Sequence, residues 1–165
     1  MSTPPVSGIR VRRAERRDGP RMTELDRELA VFEKLPRPDD TEAARLLSWI
    51  FDERKLEALV AEKDGRVEGM AIFWEGLGSS FRARTLLYVE DLVVSERARG
   101  AGVGEALMAA IAREGVARGA MRIDWAVLDW NDGALRFYRR LGARQQTDWV
   151  RYTLGEEAMR RLAES

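Results

Sequence analysis

The sequence predicts an α/β fold in which helices pack on a mixed β-sheet. Three observations support this class. Strand-like and helix-like segments alternate along the 165 residues, the Asp64-Gly65 pair joins two strand-like segments as a tight hairpin turn, and a glycine-rich turn connects an apolar strand to an amphipathic helix. The length and the 45% content of hydrophobic residues suit one domain with a full core.

The first half of the chain is predicted as one strand, two helices and a hairpin. Residues 1–7 form a flexible leader, and residues 8–165 form a single domain. Strands are expected over residues 9–13, 56–63 and 66–75, with a polar loop over residues 76–83. Side-chain caps begin the two helices at Asp18 and Thr41, and a pair of prolines ends the first helix.

The second half alternates strands with helices, which completes the order β-α-α-β-β-β-α-β-α-β. Strands are expected over residues 85–95, 121–128 and 146–154. Gly119 ends the helix that follows the glycine-rich turn, and Gly142 ends a second helix that Asn131 caps. A short helix over residues 156–163 follows the last predicted strand.

Composition excludes several kinds of function. Basic and acidic residues number 28 each, so no net field favours nucleic acid or an anionic membrane. The absence of cysteine and histidine removes thiol nucleophiles, disulfides, zinc sites of this kind and the commonest general base. Carboxylates, tyrosines, backbone groups and water remain for catalysis, and no metal is expected. The chain lacks an apolar run of about 20 residues and a signal-peptide core, so we expect a cytoplasmic protein without a membrane partner.

Phosphate binding is the clearest functional signal. The turn and the start of the next helix comprise Arg99, Gly100, Ala101, Gly102, Val103, Gly104 and Glu105. Glycine lets a ligand approach the backbone, and N–H groups at a helix N-terminus attract a phosphate or pyrophosphate. A P-loop is excluded because no Gly-Lys-Ser/Thr follows the glycines, and the spacing does not fit a dinucleotide-binding βαβ unit. An ordinary glycine-rich turn before a surface helix is the structural alternative.

Two motifs in this order resemble N-acetyltransferases of the GNAT family. One is Arg99-x-x-Gly102-x-Gly104 after a strand, and the other, over residues 131–143, is similar to the family element Asn-x-x-Ala-x-x-Phe-Tyr-x-x-x-Gly. The resemblance implies a GNAT-like, mostly antiparallel mixed sheet flanked by helices, with acetyl-CoA as co-substrate. It also implies that the second motif lies beside the pantetheine arm and that Tyr138 brings its hydroxyl to the CoA sulfur. Core packing is the alternative for Tyr138 and for Phe137.

The resemblance also assigns the residues that would hold acetyl-CoA. Besides the glycine-rich turn from Arg99 to Glu105, they are the end of the preceding strand and the start of the second motif: Leu92, Val93, Val94, Asn131, Asp132, Gly133 and Ala134.

Four segments narrow the resemblance to the diamine acetyltransferases, the spermidine/spermine N-acetyltransferase group. They are residues 29–35, 89–94, 127–131 and 149–152, and with the glycine-rich turn the likeness spans roughly residues 9–154. The chain departs from that group at two places, the second of which is a loop that helps to shape the acceptor pocket. Residue 133 is glycine where that group commonly has proline, and the loop over residues 144–148 is short.

Glu90 is the predicted catalytic carboxylate. A bulge in its strand would free backbone N–H groups to meet the charge that develops on a thioester oxygen under attack by an amine. A regular strand would place Glu90 among apolar neighbours, where a carboxylate is costly without a partner or a task. Glu90 would accept the ammonium proton through water, and Tyr138 would protonate the leaving thiolate. An ion pair with an arginine is the structural alternative for Glu90 and Asp91.

Direct transfer in a ternary complex is expected, because the chain has no cysteine to form an acyl-enzyme. The expected acceptor is a small polyamine, a diamine or a lysine-like amine. Acidic and aromatic residues would bind it, namely Phe32, Glu33, Glu90, Asp124, Trp125 and Ala126, with Asp148 and Trp149 as further candidates. Core positions for the tryptophans and solvated positions for the carboxylates are the alternatives.

Other acceptors and another class of function stay open at this point. A peptide N-terminus, an amino acid or an antibiotic could be the acceptor, and the chain could be a module that binds acyl-CoA without transferring the acyl group. A homodimer is also expected, as the resemblance implies. The first two helices and the segment around Trp149 carry more large apolar groups than one thin sheet needs.

Overall fold

The computed structural model describes residues 8–165 in two compact units, one ending at Leu128 and the other comprising Asp129–Ser165. The predicted leader over residues 1–7 lies outside the described residues. In the described part of the chain, no helix combines the length and the apolar composition that crossing a bilayer requires.

A mixed sheet forms the centre of the first unit. Its strands, in spatial order, are β1 (Ile9–Arg13), β2 (Glu57–Lys63), β3 (Arg66–Ser79), β4 (Arg84–Val94) and β5 (Ile123–Trp125). All neighbouring strands are antiparallel except β4 and β5, which run parallel. Asp64 and Gly65, with φ of 52° and 75°, form the turn between β2 and β3. The predicted fold class, a mostly antiparallel mixed sheet with helices, is confirmed, and so is the hairpin.

Helices cover both faces of this sheet. On one face, α1 (Gly19–Phe32) and α2 (Asp40–Phe51) pack their apolar side chains on β2, β3 and β4. The shared core comprises Met22, Leu25, Ile50, Ala58, Val60, Met70, Ile72 and Val93. On the other face lies α3 (Val103–Arg118), whose first turn sits close to Gly69 of β3. A Cβ at Gly69 would lie 2.7 Å from a methyl group of Val103, so glycine permits this approach.

The caps of α1 and α2 differ from the prediction. The carboxylate of Asp18 precedes α1 but binds Arg12 at 2.7 and 2.9 Å instead of capping the helix. Asp39, not Thr41, caps α2, because its carboxylate accepts from the N–H of Glu42 while the Glu42 carboxylate accepts from the N–H of Asp39. This reciprocal pair satisfies two N–H groups, which the Thr41 prediction overlooked.

Two strand boundaries differ as well. β3 continues to Ser79 through most of the predicted loop over residues 76–83, because it stays paired with β4. β5 is shorter than the predicted strand over residues 121–128, because its pairing with β4 stops at Trp125.

The second unit contains α4 (Asp132–Arg140) and α5 (Glu156–Ala163), as predicted. The predicted strand over residues 146–154 is wrong, since this segment has neither helix nor strand. Trp149 and Tyr152 are 84% and 91% exposed. Alternating apolar residues predict a strand only when another strand is available to pair with them.

Candidate active site

An extra residue interrupts the pairing of β4 with β3. Ile72 pairs with Asp91 and Phe73 pairs with Val89, so Glu90 has no residue opposite it. Cross-strand partners share a face of the sheet, and the bulge therefore turns Asp91 toward α1 and α2 although Val89 faces α3. The sequence suggested a disruption of this strand, and the structure has it at Glu90.

The pairing between β4 and β5 ends at the same place. The last parallel pair is Val89 with Trp125, whereas β4 continues to Val94. Among the described strands, the segment Leu92, Val93 and Val94 is paired on its β3 side alone. Backbone groups on the other side of this segment can therefore pair with an extended ligand.

The Glu90 carboxylate is exposed and held by one hydrogen bond. It accepts from the indole N–H of Trp74 at 2.7 Å, and the Trp74 ring packs on Tyr88 with a centroid separation of 5.5 Å. Gly76 leaves room for this ring, since a Cβ there would lie 2.4 Å from it. The expectation that Glu90 lies among apolar neighbours is wrong, because the bulge turns its side chain to solvent.

The fold raises the pKa of the Asp91 carboxyl group toward neutrality. Burial, and to a smaller extent the negative charges of Asp26, Glu90 and Glu33, together raise its pKa to about 7. Burial also raises the pKa of Asp26, which lies on α1. Neither Glu90 nor Asp91 has an ion pair with an arginine in the described structure, so that alternative does not hold here. A carboxyl group with a pKa near neutrality is suited to proton transfer.

A cavity of about 490 Å³ opens beside these carboxylates. It is lined by Leu46, Trp49, Lys55, Leu56, Ile72, Glu90 and Asp91. The first four come from α2 and the segment that follows it, where no site residue was predicted from the sequence. Its volume lies within the range of about 300–1,000 Å³ that is typical of small-molecule sites.

The glycine-rich turn has the backbone geometry expected of a phosphate site. Gly100 and Gly102 have φ of 77° and 88°, a left-handed conformation that favours glycine. Gly102 directly precedes α3, and the bond from Ala106 N–H to its carbonyl, 3.0 Å long, is the first of the helix. The N–H groups of Val103, Gly104 and Glu105 therefore precede the helical hydrogen bonds and lie at the positive end of the helix.

A buried carboxylate anchors the entry to this turn. Glu68 on β3 accepts from the Ser95 hydroxyl at 2.5 Å and from the Arg97 guanidinium at 2.7 and 3.0 Å. Burial alone would raise the pKa of Glu68, but the hydrogen bonds from Arg97 and Ser95 hold it below its usual value. The sequence did not predict this anchor, because Ser95 and Arg97 lie 27 and 29 residues after Glu68.

The predicted acceptor residues of the first unit fall into two groups. Glu33, at the end of α1, lies near enough to Asp91 to raise its pKa, so the structure brings Glu33, Glu90 and Asp91 together. Phe32 instead lies under the Arg99 guanidinium, 5.2 Å from the ring centroid.

Three further residues predicted to bind the acceptor lie in β5 or directly after it. The Asp124 carboxylate is held by Arg122 at 2.8 and 3.0 Å. Trp125 is half-buried in the last pair with β4, and Ala126 is exposed just after it. A cationic acceptor would therefore have to displace Arg122 to reach Asp124.

In the second unit, Asn131 caps α4 as predicted. Its side-chain oxygen accepts from the N–H of Ala134 at 3.1 Å, while Asp132 and Gly133 are exposed in the first turn. Tyr138 is half-buried, with its ring 5.1 Å from that of Phe137. Asp148 is exposed and accepts from the Thr147 hydroxyl.

Metal ligation has no candidate within residues 8–165. No group of three or more acidic side chains there is arranged to hold an ion.

Comparison with known proteins agrees with this geometry. Residues 20–143 match the model of the Acetyltransferase (GNAT) family. Thialysine N-epsilon-acetyltransferase of Mus musculus is 32% identical, over 96% of this chain and 99% of that protein. L-ornithine N5-acetyltransferase of Arabidopsis thaliana is 33% identical over 58% of this chain and 42% of its own length.

Solved structures show the same fold. An integron cassette protein from the mobile metagenome of V. cholerae superposes with a TM-score of 0.81 at 22% identity, covering 96% of this chain and 99% of its own. A probable acetyltransferase has a TM-score of 0.79 at 19% identity, with coverage of 88% and 97%. Together with the family match over residues 20–143, these likenesses identify the chain as an acetyltransferase of the GNAT family.

Proposed function

We propose that the chain transfers the acetyl group of acetyl-CoA to a small aliphatic primary amine, a diamine or a lysine-like amine, by direct attack in a ternary complex. The observation that carries this proposal is the Asp91 carboxyl group. It lies in a cavity of about 490 Å³ next to a strand bulge, and its pKa is raised to about 7. The names of the thialysine and ornithine acetyltransferases describe acetylation at the terminal nitrogen of an amino-acid side chain, which supports a lysine-like acceptor.

Acetyl-CoA, the co-substrate of the family, would bind along β4 and the glycine-rich turn. The backbone of Leu92–Val94 pairs with the pantetheine arm, and the N–H groups after Gly102 bind the pyrophosphate with Arg99. The N–H groups freed at the bulge stabilise the thioester oxygen as it gains negative charge. Residues Asn131 to Ala134 supply the remaining contacts. In the described residues, no strand pairs with β4 on its β5 side beyond Val89, which supports the β4 part of this assignment.

The acceptor enters as an ammonium ion with a pKa near 10. Glu90 and Asp91 attract this cation, and the nitrogen gives one proton to Asp91 before it attacks the carbonyl carbon. The new C–N bond forms and the C–S bond breaks, while the nitrogen loses a second proton. Tyr138 donates its hydroxyl proton to the departing sulfur and recovers one from the nitrogen. We thus propose Asp91 as the proton acceptor, the role that the sequence predicts for Glu90, because burial and neighbouring negative charges raise the pKa of Asp91 to about 7.

Thiol release tests the proposal. Purified protein with acetyl-CoA is offered polyamines, diamines, lysine analogues, amino acids and peptides, and free thiol is followed with time. We expect turnover with small aliphatic amines. Tyr138→Phe keeps the ring and should lower turnover by about 10²- to 10⁴-fold with little change in acetyl-CoA affinity. Binding of acetyl-CoA without turnover of any amine would instead favour an acyl-CoA-binding module.

The proposed enzyme is also a homodimer. Four apolar side chains of the second unit support this assignment by their exposure, namely Trp149, Val150, Tyr152 and Leu154. A second copy could cover them through a symmetric interface. Light scattering at micromolar concentration should give about twice the chain mass of 18.8 kDa. A mass of one chain throughout would contradict the dimer.

A further inference from the structure

The cavity beside Asp91 carries a positive charge as well as negative ones. Lys55 contributes to its lining, together with Glu90 and Asp91. The Lys55 ammonium makes an ion pair with Glu53 at 2.6 Å and lies 5.5 Å from the centre of the Trp49 ring. In the described structure Lys55 has no ion pair with Glu90 or Asp91. Opposite charges therefore line one cavity without neutralising each other.

The backbone fixes the position from which Lys55 reaches the cavity. The N–H groups of Lys55 and Leu56 both bond to the carbonyl of Trp49, at 2.9 and 3.3 Å. Between α2 and this anchor, Arg54 adopts a left-handed conformation with φ of 51°, which reverses the chain. Lys55 is thus brought back over the last turn of α2, beside the Trp49 ring.

The Glu53 pair leaves the ammonium available to a ligand. The side chains of Lys55 and Glu53 are 59% and 43% exposed. An exposed ion pair of this kind adds little stability, because water solvates both partners and two flexible side chains must be ordered. A ligand carboxylate can therefore replace Glu53 or share the lysine with it.

We infer that Lys55 recognises a carboxylate on the acceptor, remote from the reacting amine, and so makes the enzyme select amino acids with an amine at the end of the side chain over the diamines that lack the carboxylate. The inference rests on the proposed function, since it concerns the acceptor cavity of that reaction. An acceptor with an ammonium at one end and a carboxylate at the other matches both charges of the cavity. A diamine would bring its second cation toward Lys55 with no carboxylate beside it, which is unfavourable.

Matched pairs of acceptors test this directly. Ornithine differs from 1,4-diaminobutane, and lysine from 1,5-diaminopentane, by one carboxylate. Values of kcat/KM are measured for both pairs with the parent chain, Lys55→Gln, Lys55→Arg and the control Lys63→Gln. Lys63 pairs with Asp64 at the hairpin turn and takes no part in the cavity lining.

The parent should prefer the amino acid of each pair. Lys55→Gln should lower kcat/KM for the amino acids by about 10- to 100-fold, the usual effect of losing a hydrogen bond to a charged group, and leave the diamines unchanged or improved. Lys55→Arg should retain most of the preference, and Lys63→Gln all of it.

Three results would overturn the inference. Equal losses on both members of each pair would make Lys55 a structural residue, and a parent that prefers diamines would contradict its role in selection. Both of these leave the proposed acetyl transfer standing. Absence of thiol release with every amine would refute the proposed function and the inference with it.

Discussion

Glu68 and Asp91 are carboxylates on adjacent strands of one sheet, and their surroundings move their pKa values in opposite directions. Burial alone raises the pKa of each. At Glu68 the hydrogen bonds from Arg97 and Ser95 outweigh burial and lower the pKa. At Asp91 the interacting charges are Asp26, Glu90 and Glu33, all negative, and the pKa rises to about 7.

The opposite pKa shifts follow from whether the fold places a cation beside the carboxylate. Glu68 has an arginine of its own chain and serves as an anchor for the segment that leads into the glycine-rich turn. Asp91 has no ion-pair partner in the described structure, although it faces a cavity. In our account the missing cation is the acceptor ammonium. Under the proposed function, the same functional group is structural where the fold supplies a counter-ion and catalytic where the substrate supplies it.

Replacing Asp91 should have the largest effect on activity. Asp91→Asn keeps the size of the side chain but can neither attract the ammonium nor accept its proton. We expect kcat/KM for the amine to fall by about 10²- to 10⁴-fold while the KM for acetyl-CoA stays nearly constant. Steady-state kinetics with either substrate varied will show this split. Asp64→Asn, at the exposed hairpin turn, is the matched control, and equal activity of the two variants would refute the role of Asp91.

The same substitution should stabilise the ligand-free chain at alkaline pH. A raised pKa in the folded state means that the folded chain binds more protons than the unfolded chain between pH 3.8 and about 7. Stability contributed by Asp91 is therefore present below pH 3.8 and is lost as the pH rises through about 7.

Asp91→Asn should accordingly raise the free energy of unfolding at pH 8 by roughly 2–4 kcal/mol, at about 1.4 kcal/mol for each unit of pKa. The gain should vanish near pH 4. Urea unfolding at both pH values measures it. A variant less stable than the parent at pH 8 would show that Asp91 stabilises the fold.

Glu68 should respond in the opposite way. Glu68→Gln leaves Arg97 and Ser95 without their carboxylate, so we expect a loss of about 1–3 kcal/mol of stability at pH 7. Because these partners lead into the glycine-rich turn, the KM for acetyl-CoA should rise while the acceptor profile stays unchanged. Urea unfolding and steady-state kinetics test both parts. A change confined to acceptor kinetics would contradict the anchoring role.

Trp74 should have the smallest effect of the residues compared here. Trp74→Phe keeps an aromatic ring on Tyr88 but removes the N–H that binds Glu90. Loss of this charge-assisted hydrogen bond, which contributes about 1.5 kcal/mol, should lower kcat/KM for the amine by about 10-fold. Tyr88→Phe, which removes a hydroxyl but keeps the packing, is the control. Activity equal to the parent would show that the Glu90 carboxylate needs no support.

Local patterns in the sequence predicted much of the fold. The hairpin at Asp64-Gly65, the glycine-rich turn before α3 and the Asn131 cap of α4 all depend on residues close in sequence. The strand over residues 146–154 failed because a strand also needs a partner, which no local pattern supplies. Thr41 failed as a cap because the neighbouring Asp39 forms a reciprocal pair with Glu42.

The site was predicted less completely, for a similar reason. Glu90 and the disruption of its strand were found, but the side of the bulge to which each acid points depends on the pairing with β3. Asp26 belongs to α1, Trp49 to α2 and Lys55 to the segment after α2, and only tertiary packing brings these elements to β4. The sequence did not indicate the role of Glu68 on β3, because its partners Ser95 and Arg97 follow the end of β4.

Carbon-13 NMR of protein labelled at the aspartate carboxyl carbons tests the central claim most directly. The resonance that disappears in Asp91→Asn belongs to Asp91, and its shift is followed from pH 4 to pH 9. We predict a midpoint near pH 7 in the ligand-free chain. The midpoint should fall when a saturating small amine supplies the missing cation. A midpoint near 4 without ligand, or one that the amine leaves unmoved, would contradict the account.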